Sequence, residues 1–299
     1  MKKSVSLLLA ALMLTGALAG CGSSASASDT QAADGADSGV SGAITVISRE
    51  DGSGTRGAFI ELTGVEEKTA DGKKVDNTTA DAEIANKTDV VLTSVAGNGK
   101  AIGYISLGAL NDTVKAVKVD GAEATVDNVK AGAYKLSRPF NIATKGEPTG
   151  LAKDFINFIL SKEGQAVVTD NKYIAVNDAA ESFVSDGSSG QIAVGGSSSV
   201  SPVMEKLIEA YKSVNPNASI DLQTSDSTSG MTGAMDGTFA IGMASRELKD
   251  EEAAQLTGTA IALDGIAVIV NPANTIDELS MDQIKSIYVG DITDWGDLA

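Results

Sequence analysis

The sequence predicts an α/β protein, and three observations carry that prediction. From Ala43 onward, short β-rich runs alternate with helical patterns, which is typical of sheets layered with helices. Three turns rich in glycine, serine and threonine each lie between a predicted strand and a predicted helix. The 299 residues, 42% of them hydrophobic, are enough for one large or two medium folded domains.

The strands and helices follow from local pattern. Strands are predicted at residues 44–48, 101–106, 140–144, 173–176, 191–195, 219–224, 239–244 and 265–271. Helices are predicted at residues 150–160, 202–213 and 282–288. In the second helix, Ser201 suits the N-cap and Pro202 the first helical position. The small polar stretch 184–190 is interpreted as a loop that divides the chain.

The first 21 residues predict a secretion signal, because a basic start precedes an apolar run and small residues. "LAGC" at 18–21 also matches the bacterial lipobox, in which Cys21 carries the lipid (palmitate among its chains) and becomes the mature N-terminus. The alternative is an ordinary signal peptide with an incidental cysteine. Residues 22–42 are interpreted as a flexible tether. We therefore expect an extracytoplasmic protein, lipid-anchored to the cell membrane.

Composition excludes several functional classes. A formal net charge of −17 argues against nucleic-acid binding, which needs a broad basic surface. The sequence contains no histidine, which removes the commonest general base and the usual zinc ligand. No calcium-loop spacing supports a metal site, so neither a metal nor a cofactor is expected.

The three turns, at 52–55, 195–200 and 225–230, indicate an anion site. Exposed N–H groups at a helix start, with the positive end of the helix dipole, favour an anion. Serine and threonine hydroxyls add neutral donors, and glycine allows close approach of the backbone. A single such turn is equally well explained as a plain helix cap. Three turns, with three of the four arginines in "SREDGSGTRGAF" and "SRELKDEE", favour a bound tetrahedral oxyanion.

The segment "SREDGSGTRGAF" (48–59) resembles the signature turn of the phosphate-binding proteins of ABC-type phosphate importers. "GGSSSVSPVMEKL" resembles the segment that opens the mature domain in that family, "SDSTSGM" its second anion turn and "IGMASRELKDEE" its third. The resemblance implies a two-lobed venus-flytrap protein of the type II periplasmic-binding class. It also implies a non-catalytic monomer that binds inorganic phosphate and delivers it to an ABC permease and ATPase.

The order of these segments differs from the usual family arrangement. The chain ends on "IYVGDITDWGDLA" and begins, after the tether, with the arginine turn that would normally continue it. It therefore resembles a circular permutant, with one lobe at 43–138 plus 264–299 and the other at 139–263. A linker at about 177–190 would join the old end to the old start. A truncated tandem protein or a misassembled gene is the alternative.

The resemblance also assigns roles to individual residues. The expected phosphate contacts are Arg49, Ser53, Gly54, Thr55, Ser198, Ser199, Thr228, Ser229 and Arg246. Supporting roles are expected for Asp51, which would orient Arg49, and for Ser197 and Ser245. We expect Arg138 to lie at a hinge crossover without ligand contact.

Arg246 stands where many family members carry an aspartate that accepts the proton of hydrogen phosphate. Either Arg246 binds the anion, or Asp226 or Glu247 acts as the acceptor. The competing functions are a receptor for a sulfate-like oxyanion, a secreted phosphoester hydrolase, and a structural lipoprotein.

Overall fold

The computed structural model describes residues 40–298. The predicted signal, Cys21, most of the tether and Ala299 lie outside this range. The strands are β1 Thr45–Arg49, β2 Glu66–Lys68, β3 Lys74–Asp76, β4 Glu83–Ala85, β5 Ala101–Ser106, β6 Lys115–Ala116, β7 Lys118–Val119, β8 Ser137–Thr144, β9 Gly190–Ser197, β10 Ala218–Ser225, β11 Ile241–Ala244, β12 Thr257–Val270 and β13 Glu278–Leu279. The helices are α1 Gly54–Thr63, α2 Thr88–Gly97, α3 Val126–Lys130, α4 Gly150–Leu160, α5 Lys162–Asp170, α6 Ser201–Val214, α7 Ser227–Asp236, α8 Asp250–Ala253 and α9 Met281–Val289.

One mixed sheet runs through the molecule in the order β10-β9-β11-β8-β12-β5-β1-β4. Each end of this order is a parallel triplet, β10-β9-β11 on one side and β5-β1-β4 on the other. The two central strands, β8 and β12, are antiparallel to their neighbours. β12 pairs with β8 along its first part and with β5 along its last, so it passes from one triplet to the other.

The hydrophobic side chains divide at this central pair. One large cluster is built mainly from residues 46–136 and 266–295, and the other from residues 140–262. We call residues 43–138 with 264–298 the arginine half, and residues 139–263 the serine half. Each half places helices against its own parallel triplet, as layered α/β structures do.

The two ends of the described chain meet in the arginine half. Ala43 forms an antiparallel bridge with Asp294, and the Ile44 amide donates to the Thr293 carbonyl at 2.8 Å. The Trp295 amide donates to the Gly42 carbonyl at 3.2 Å. β1 therefore begins next to the segment that ends the sequence.

The connection at 177–190 has almost no regular structure but is anchored to the serine half. Asp154 of α4, which is 1% exposed, accepts hydrogen bonds from the Ser185 hydroxyl at 2.8 Å and the Asp186 amide at 2.9 Å. The Tyr211 hydroxyl donates to the same carboxylate at 2.7 Å, and the Phe183 ring packs against Tyr211. This stretch is a loop, but a firmly bonded one.

Most elements predicted from the pattern are present, and two details differ. The predicted strand 173–176 is wrong, because only Ile174 bridges to Leu263 while the Val176 amide donates to the Gln165 side chain. Ser201 is the first residue of α6 rather than its N-cap, which is Val200. Within the described residues, the helices are all too short or too polar to cross a membrane.

Candidate functional site

Five strands end close to one another at the boundary of the two halves. In the arginine half, β1 leads into α1 and β4 leads towards α2. In the serine half, β9 leads into α6, β10 into α7, and β11 into the segment that begins at Ser245. Ligands of α/β proteins bind at the carboxyl ends of parallel strands, and four helix N-termini supply partial positive charge here.

Arg49, the last residue of β1, is only 2% exposed. Its Nε and Nη2 donate to the two carboxylate oxygens of Glu50, both at 2.8 Å. Nη2 also donates to the Ser198 hydroxyl of the serine half at 3.1 Å, and Nη1 to Thr88 at 3.5 Å. The guanidinium thus bonds across the boundary to Ser198, while the bidentate pair with Glu50 fixes its orientation.

The expected partner of Arg49 was Asp51, and the structure corrects this. The Asp51 side chain is 98% exposed and pairs with Arg56 at 2.9 Å. Arg56 in turn donates to the Arg49 carbonyl at 2.8 Å. Asp51 is engaged by Arg56 of α1, while Glu50 occupies both Nε and Nη2 of Arg49.

The turn 52–55 begins α1 and presents Thr55 to the other half. Ser53 is the N-cap and accepts from the Arg56 amide, so its hydroxyl serves the helix. The Thr55 hydroxyl lies 2.8 Å from the Ser199 hydroxyl and 3.3 Å from that of Ser245. A Cβ at Gly54 would overlap Ser227 Oγ and approach Ser245 Oγ to 2.9 Å, so the close approach requires glycine.

The serine half contributes a continuous set of hydroxyls. Ser197 Oγ donates to Ser245 Oγ at 3.0 Å, and Ser227 Oγ lies 3.4 Å from the same atom. Thr88 of the arginine half lies 3.2 Å from Ser199 and 3.4 Å from Ser198. We call these side chains the hydroxyl cluster, whose members are Thr55, Thr88, Ser197, Ser198, Ser199, Ser227 and Ser245. All seven are buried.

The turn at 225–230 contributes Ser227 to the cluster, rather than the expected Thr228 and Ser229. Ser227 is fully buried, whereas the Ser229 hydroxyl donates to Asp226, the N-cap of α7, at 2.5 Å. Thr228 accepts from Arg246 at 3.3 Å, and its amide donates to the Gly52 carbonyl of the arginine half at 3.1 Å. Ser227 and Thr88 are therefore the two members of the hydroxyl cluster that sequence reasoning missed.

Arg246 lies beside the cluster and is paired with a carboxylate. Its two terminal nitrogens donate to Glu252 at 2.7 and 2.8 Å. Burial raises the pKa of Glu252, but the bonds from Arg246 and from the Lys249 amide outweigh it, so the pKa falls below its ordinary value. Glu247 accepts from Asn141 at 3.3 Å. Arg246 is thus a positive charge at the edge of the cluster, and its ion pair with Glu252 fixes its position.

Arg138, expected at a hinge crossover without ligand contact, lies on the crossing strand β8 and its side chain reaches the cluster. It is 3% exposed, and its Nη2 donates to the Thr55 hydroxyl at 3.0 Å. Its Nη1 lies 3.1 Å from Asp264. The period-2 alternation of "SRPFNI" could have predicted that Arg138 is buried, because it shares a strand face with the buried Phe140.

The arrangement suits a small oxyanion. Seven hydroxyls can donate or accept, three guanidinium groups supply positive charge, and the N-termini of four helices add partial positive charge. A cleft of about 610 Å³ opens beside the cluster between the two halves and is lined by Arg138, Arg246, Lys74, Lys249 and several carboxylates.

Comparison with known proteins gives consistent results. The family model described as a PBP superfamily domain matches residues 25–163 and 182–299. The phosphate-binding protein PstS 2 of Streptococcus agalactiae serotype V is 50% identical over 300 residues, which cover 99% of this chain and 98% of that protein. PstS 2 of Streptococcus pneumoniae serotype 4 is 49% identical over 296 residues, covering 99% of each chain.

A more distant relative aligns only in part. The phosphate-binding protein PstS of Bacillus subtilis is 34% identical over 137 residues, or 45% of this chain and 42% of that protein. Among solved structures, a phosphate-binding protein of a phosphate ABC transporter from Streptococcus pneumoniae matches with a TM-score of 0.69 and 50% identity. That match covers 86% of this chain and 100% of the other.

Proposed function

Because this chain belongs to the PBP superfamily and to the family of PstS phosphate-binding proteins, we propose that it is the extracytoplasmic receptor that delivers inorganic phosphate to an ABC-type importer. The observation that carries the proposal is the meeting of the buried Arg49 with hydroxyls of both halves. Its Nη2 contact with Ser198 joins the two halves directly. An anion bound here is held from both sides.

Binding then follows from closure of the two halves about β8 and β12. In the closed arrangement, Thr55 meets Ser199, Arg49 meets Ser198, and the Thr228 amide meets the Gly52 carbonyl. The phosphate oxygens take donors from the hydroxyl cluster, the helix N-termini and Arg49. Hydrogen bonds to a charged group contribute about 1.5–3 kcal/mol each, so a few of them offset the cost of ordering the halves.

The proposed contacts follow the sequence assignment with three changes, at Ser53, Ser229 and Thr88. We retain Arg49, Gly54, Thr55, Ser198, Ser199, Thr228 and Arg246, with Ser53 as the helix cap and Ser197 and Ser245 in support. Ser227 replaces Ser229 as the direct donor, because the Ser229 hydroxyl is used by Asp226. Thr88 joins the set.

The alternatives are less well supported. A phosphoester hydrolase needs a base beside a nucleophile, and the sequence has no histidine to serve as that base. The homologues named above are substrate-binding proteins of transport systems. A sulfate-like oxyanion fits the same donors, so selectivity must be measured.

We also propose that a lipid on Cys21 anchors the receptor to the membrane beside its permease. The lipobox "LAGC" supports this. Mass spectrometry of the membrane fraction should find diacylglyceryl-modified Cys21. A soluble, unmodified protein cleaved elsewhere would contradict the anchor.

Finally, we propose that the segment order is a circular permutation of the usual family arrangement, with each half acting as one lobe. The bridge between Ala43 and Asp294 supports it, as does the partial alignment with the Bacillus subtilis relative. The streptococcal relatives align over 99% of this chain, which argues against a misassembled gene. A chain rejoined from Ala299 to Ala43 and opened at Ala179 should fold and bind phosphate. Failure to fold would count against it.

Isothermal titration with phosphate, sulfate and a chromogenic phosphate ester tests the function. We expect saturable phosphate binding at one site per chain and no release of the chromophore. Turnover of the ester, or absence of phosphate binding, would contradict the proposal.

A further inference from the structure

Arg138 lies on β8 at the boundary of the halves, and each of its side-chain nitrogens has a different partner. Nε donates to the Ser245 carbonyl of the serine half at 2.8 Å. Nη2 donates to the Thr55 hydroxyl of the arginine half at 3.0 Å, and Nη1 lies 3.1 Å from Asp264 Oδ2. One buried guanidinium therefore touches both halves and the hydroxyl cluster.

Two buried arginines, Arg49 and Arg138, donate hydrogen bonds to this cluster. Arg49 donates to Ser198, and Arg138 donates to Thr55, which is itself 2.8 Å from Ser199. Burial lowers the pKa of Arg138, Asp264 opposes that effect, and the positive charge of Arg49 adds to the lowering. Like charges in a buried site repel, and an anion placed between them removes the repulsion.

Asp264 on β12 is the carboxylate that holds Arg138. Its Oδ1 accepts from the Gly108 amide at 3.4 Å, and among residues 40–298 its Oδ2 has no hydrogen bond beyond the ion pair with Arg138. Burial raises the pKa of Asp264 to about 6 although Arg138 opposes the shift. Two tyrosines, Tyr173 and Tyr104, also act on the charge of Arg138, and Tyr173 packs against Phe140.

We propose that Arg138 is a second guanidinium that contacts the bound anion, and that Asp264 is the residue that positions it. The inference rests on the proposed phosphate-binding function. Nη2 and the Thr55 hydroxyl each give one donor to the phosphate, while Nε and Nη1 stay on Ser245 and Asp264. Because Thr55 and Ser245 belong to different halves, Arg138 makes its full set of contacts only in the closed protein.

The test uses variants that keep the buried charges balanced. The double variant Arg138→Met/Asp264→Asn removes both members of the pair, so no unpaired ion is left buried. Arg138→Lys keeps the charge but loses the planar fork. Asp154→Asn is the matched control, because it neutralises another buried aspartate that bonds only to the serine half. Titration calorimetry gives the phosphate Kd, and circular dichroism reports folding.

We expect the double variant to bind phosphate at least about tenfold more weakly than the wild type, since losing a charged donor to an anion is costly. The phosphate Kd of Arg138→Lys should lie between those of the wild type and the double variant. Asp154→Asn should bind phosphate with the wild-type Kd. If the double variant does not fold, the phosphate Kd of Arg138→Lys serves as the test, and a weaker Kd than the wild type supports the inference. Folded Arg138 variants with wild-type Kd would overturn the inference, whereas a wild type that binds no phosphate would overturn the proposed function itself.

Discussion

Replacing Gly54 with alanine adds one methyl group at the contact between the halves. A Cβ there would overlap Ser227 Oγ and lie 2.9 Å from Ser245 Oγ and 3.0 Å from Arg246 Cγ. All three neighbours belong to the serine half, whereas Gly54 belongs to the arginine half. The methyl group therefore opposes closure and leaves each half free to fold.

The size of the effect follows from packing. Inserting an extra methyl group into a well-packed contact destabilises that packing by roughly 1–3 kcal/mol. If the closed state bears the whole cost, phosphate affinity falls by about 5-fold to about 150-fold, at about 1.4 kcal/mol for each factor of ten. Folding should not suffer, because Gly54 has no positive φ and alanine is the better helix former.

Gly57→Ala is the matched control on the same helix. Its Cβ would meet only Arg246 Cδ at 3.8 Å, an ordinary contact. Calorimetric titration with phosphate and thermal unfolding without it separate affinity from stability. Gly54→Ala should lose affinity at an unchanged melting temperature, and Gly57→Ala should keep both. Equal phosphate affinities for the two variants would refute the reasoning.

Three further predictions concern single side chains. Arg49→Ala should weaken phosphate binding by about 2–5 kcal/mol in a titration, because it removes a buried charged donor and leaves Glu50 unpaired; a loss under about tenfold would speak against Arg49 as the main charge. Asp226→Asn and Glu247→Gln should leave sulfate competition unchanged near pH 7, because these carboxylates bond to Ser229 and Asn141; a change in either would identify the proton acceptor. Asp154→Asn should lower unfolding free energy by about 1–3 kcal/mol at pH 7.

The Asp154 effect has a defined pH dependence. Burial raises the pKa of Asp154, but bonds from Asp186, Tyr211 and Ser185 outweigh it, so the folded pKa lies below the ordinary 3.8. A depressed folded pKa gives stability that is present above the unfolded pKa and lost as pH falls through the folded one. The difference between wild type and variant should therefore shrink below about pH 4 in denaturant titrations. A constant difference from pH 7 to pH 3 would contradict the assignment.

Local pattern was sufficient to predict the strand–turn–helix units. The GSGT turn and the serine-rich turns each combine a β-branched run, glycine and hydroxyl residues, which are signals that need no tertiary information. The lobe boundaries near residues 138 and 264 came instead from the resemblance to the phosphate-binding family. In the structure, the two large hydrophobic clusters divide near the same residues.

The sequence did not determine which member of each turn enters the hydroxyl cluster. Asp226 caps α7, which makes Ser227 the first helical residue and turns Ser229 back to the cap. Glu50 rather than Asp51 pairs with Arg49, because side-chain direction at a strand end depends on the exact residue where pairing stops. Thr88 follows β4, a three-residue strand with little pattern of its own. Such choices depend on tertiary contacts.

A crystal structure of the protein with phosphate tests the central claim most directly. The account predicts one phosphate between the halves, with oxygens about 2.7–2.9 Å from the Arg49 guanidinium and contacts to hydroxyls of both halves. A phosphate bound only in the neighbouring 610 Å³ cleft, or only at one half with Arg49 still paired solely to protein groups, would contradict it.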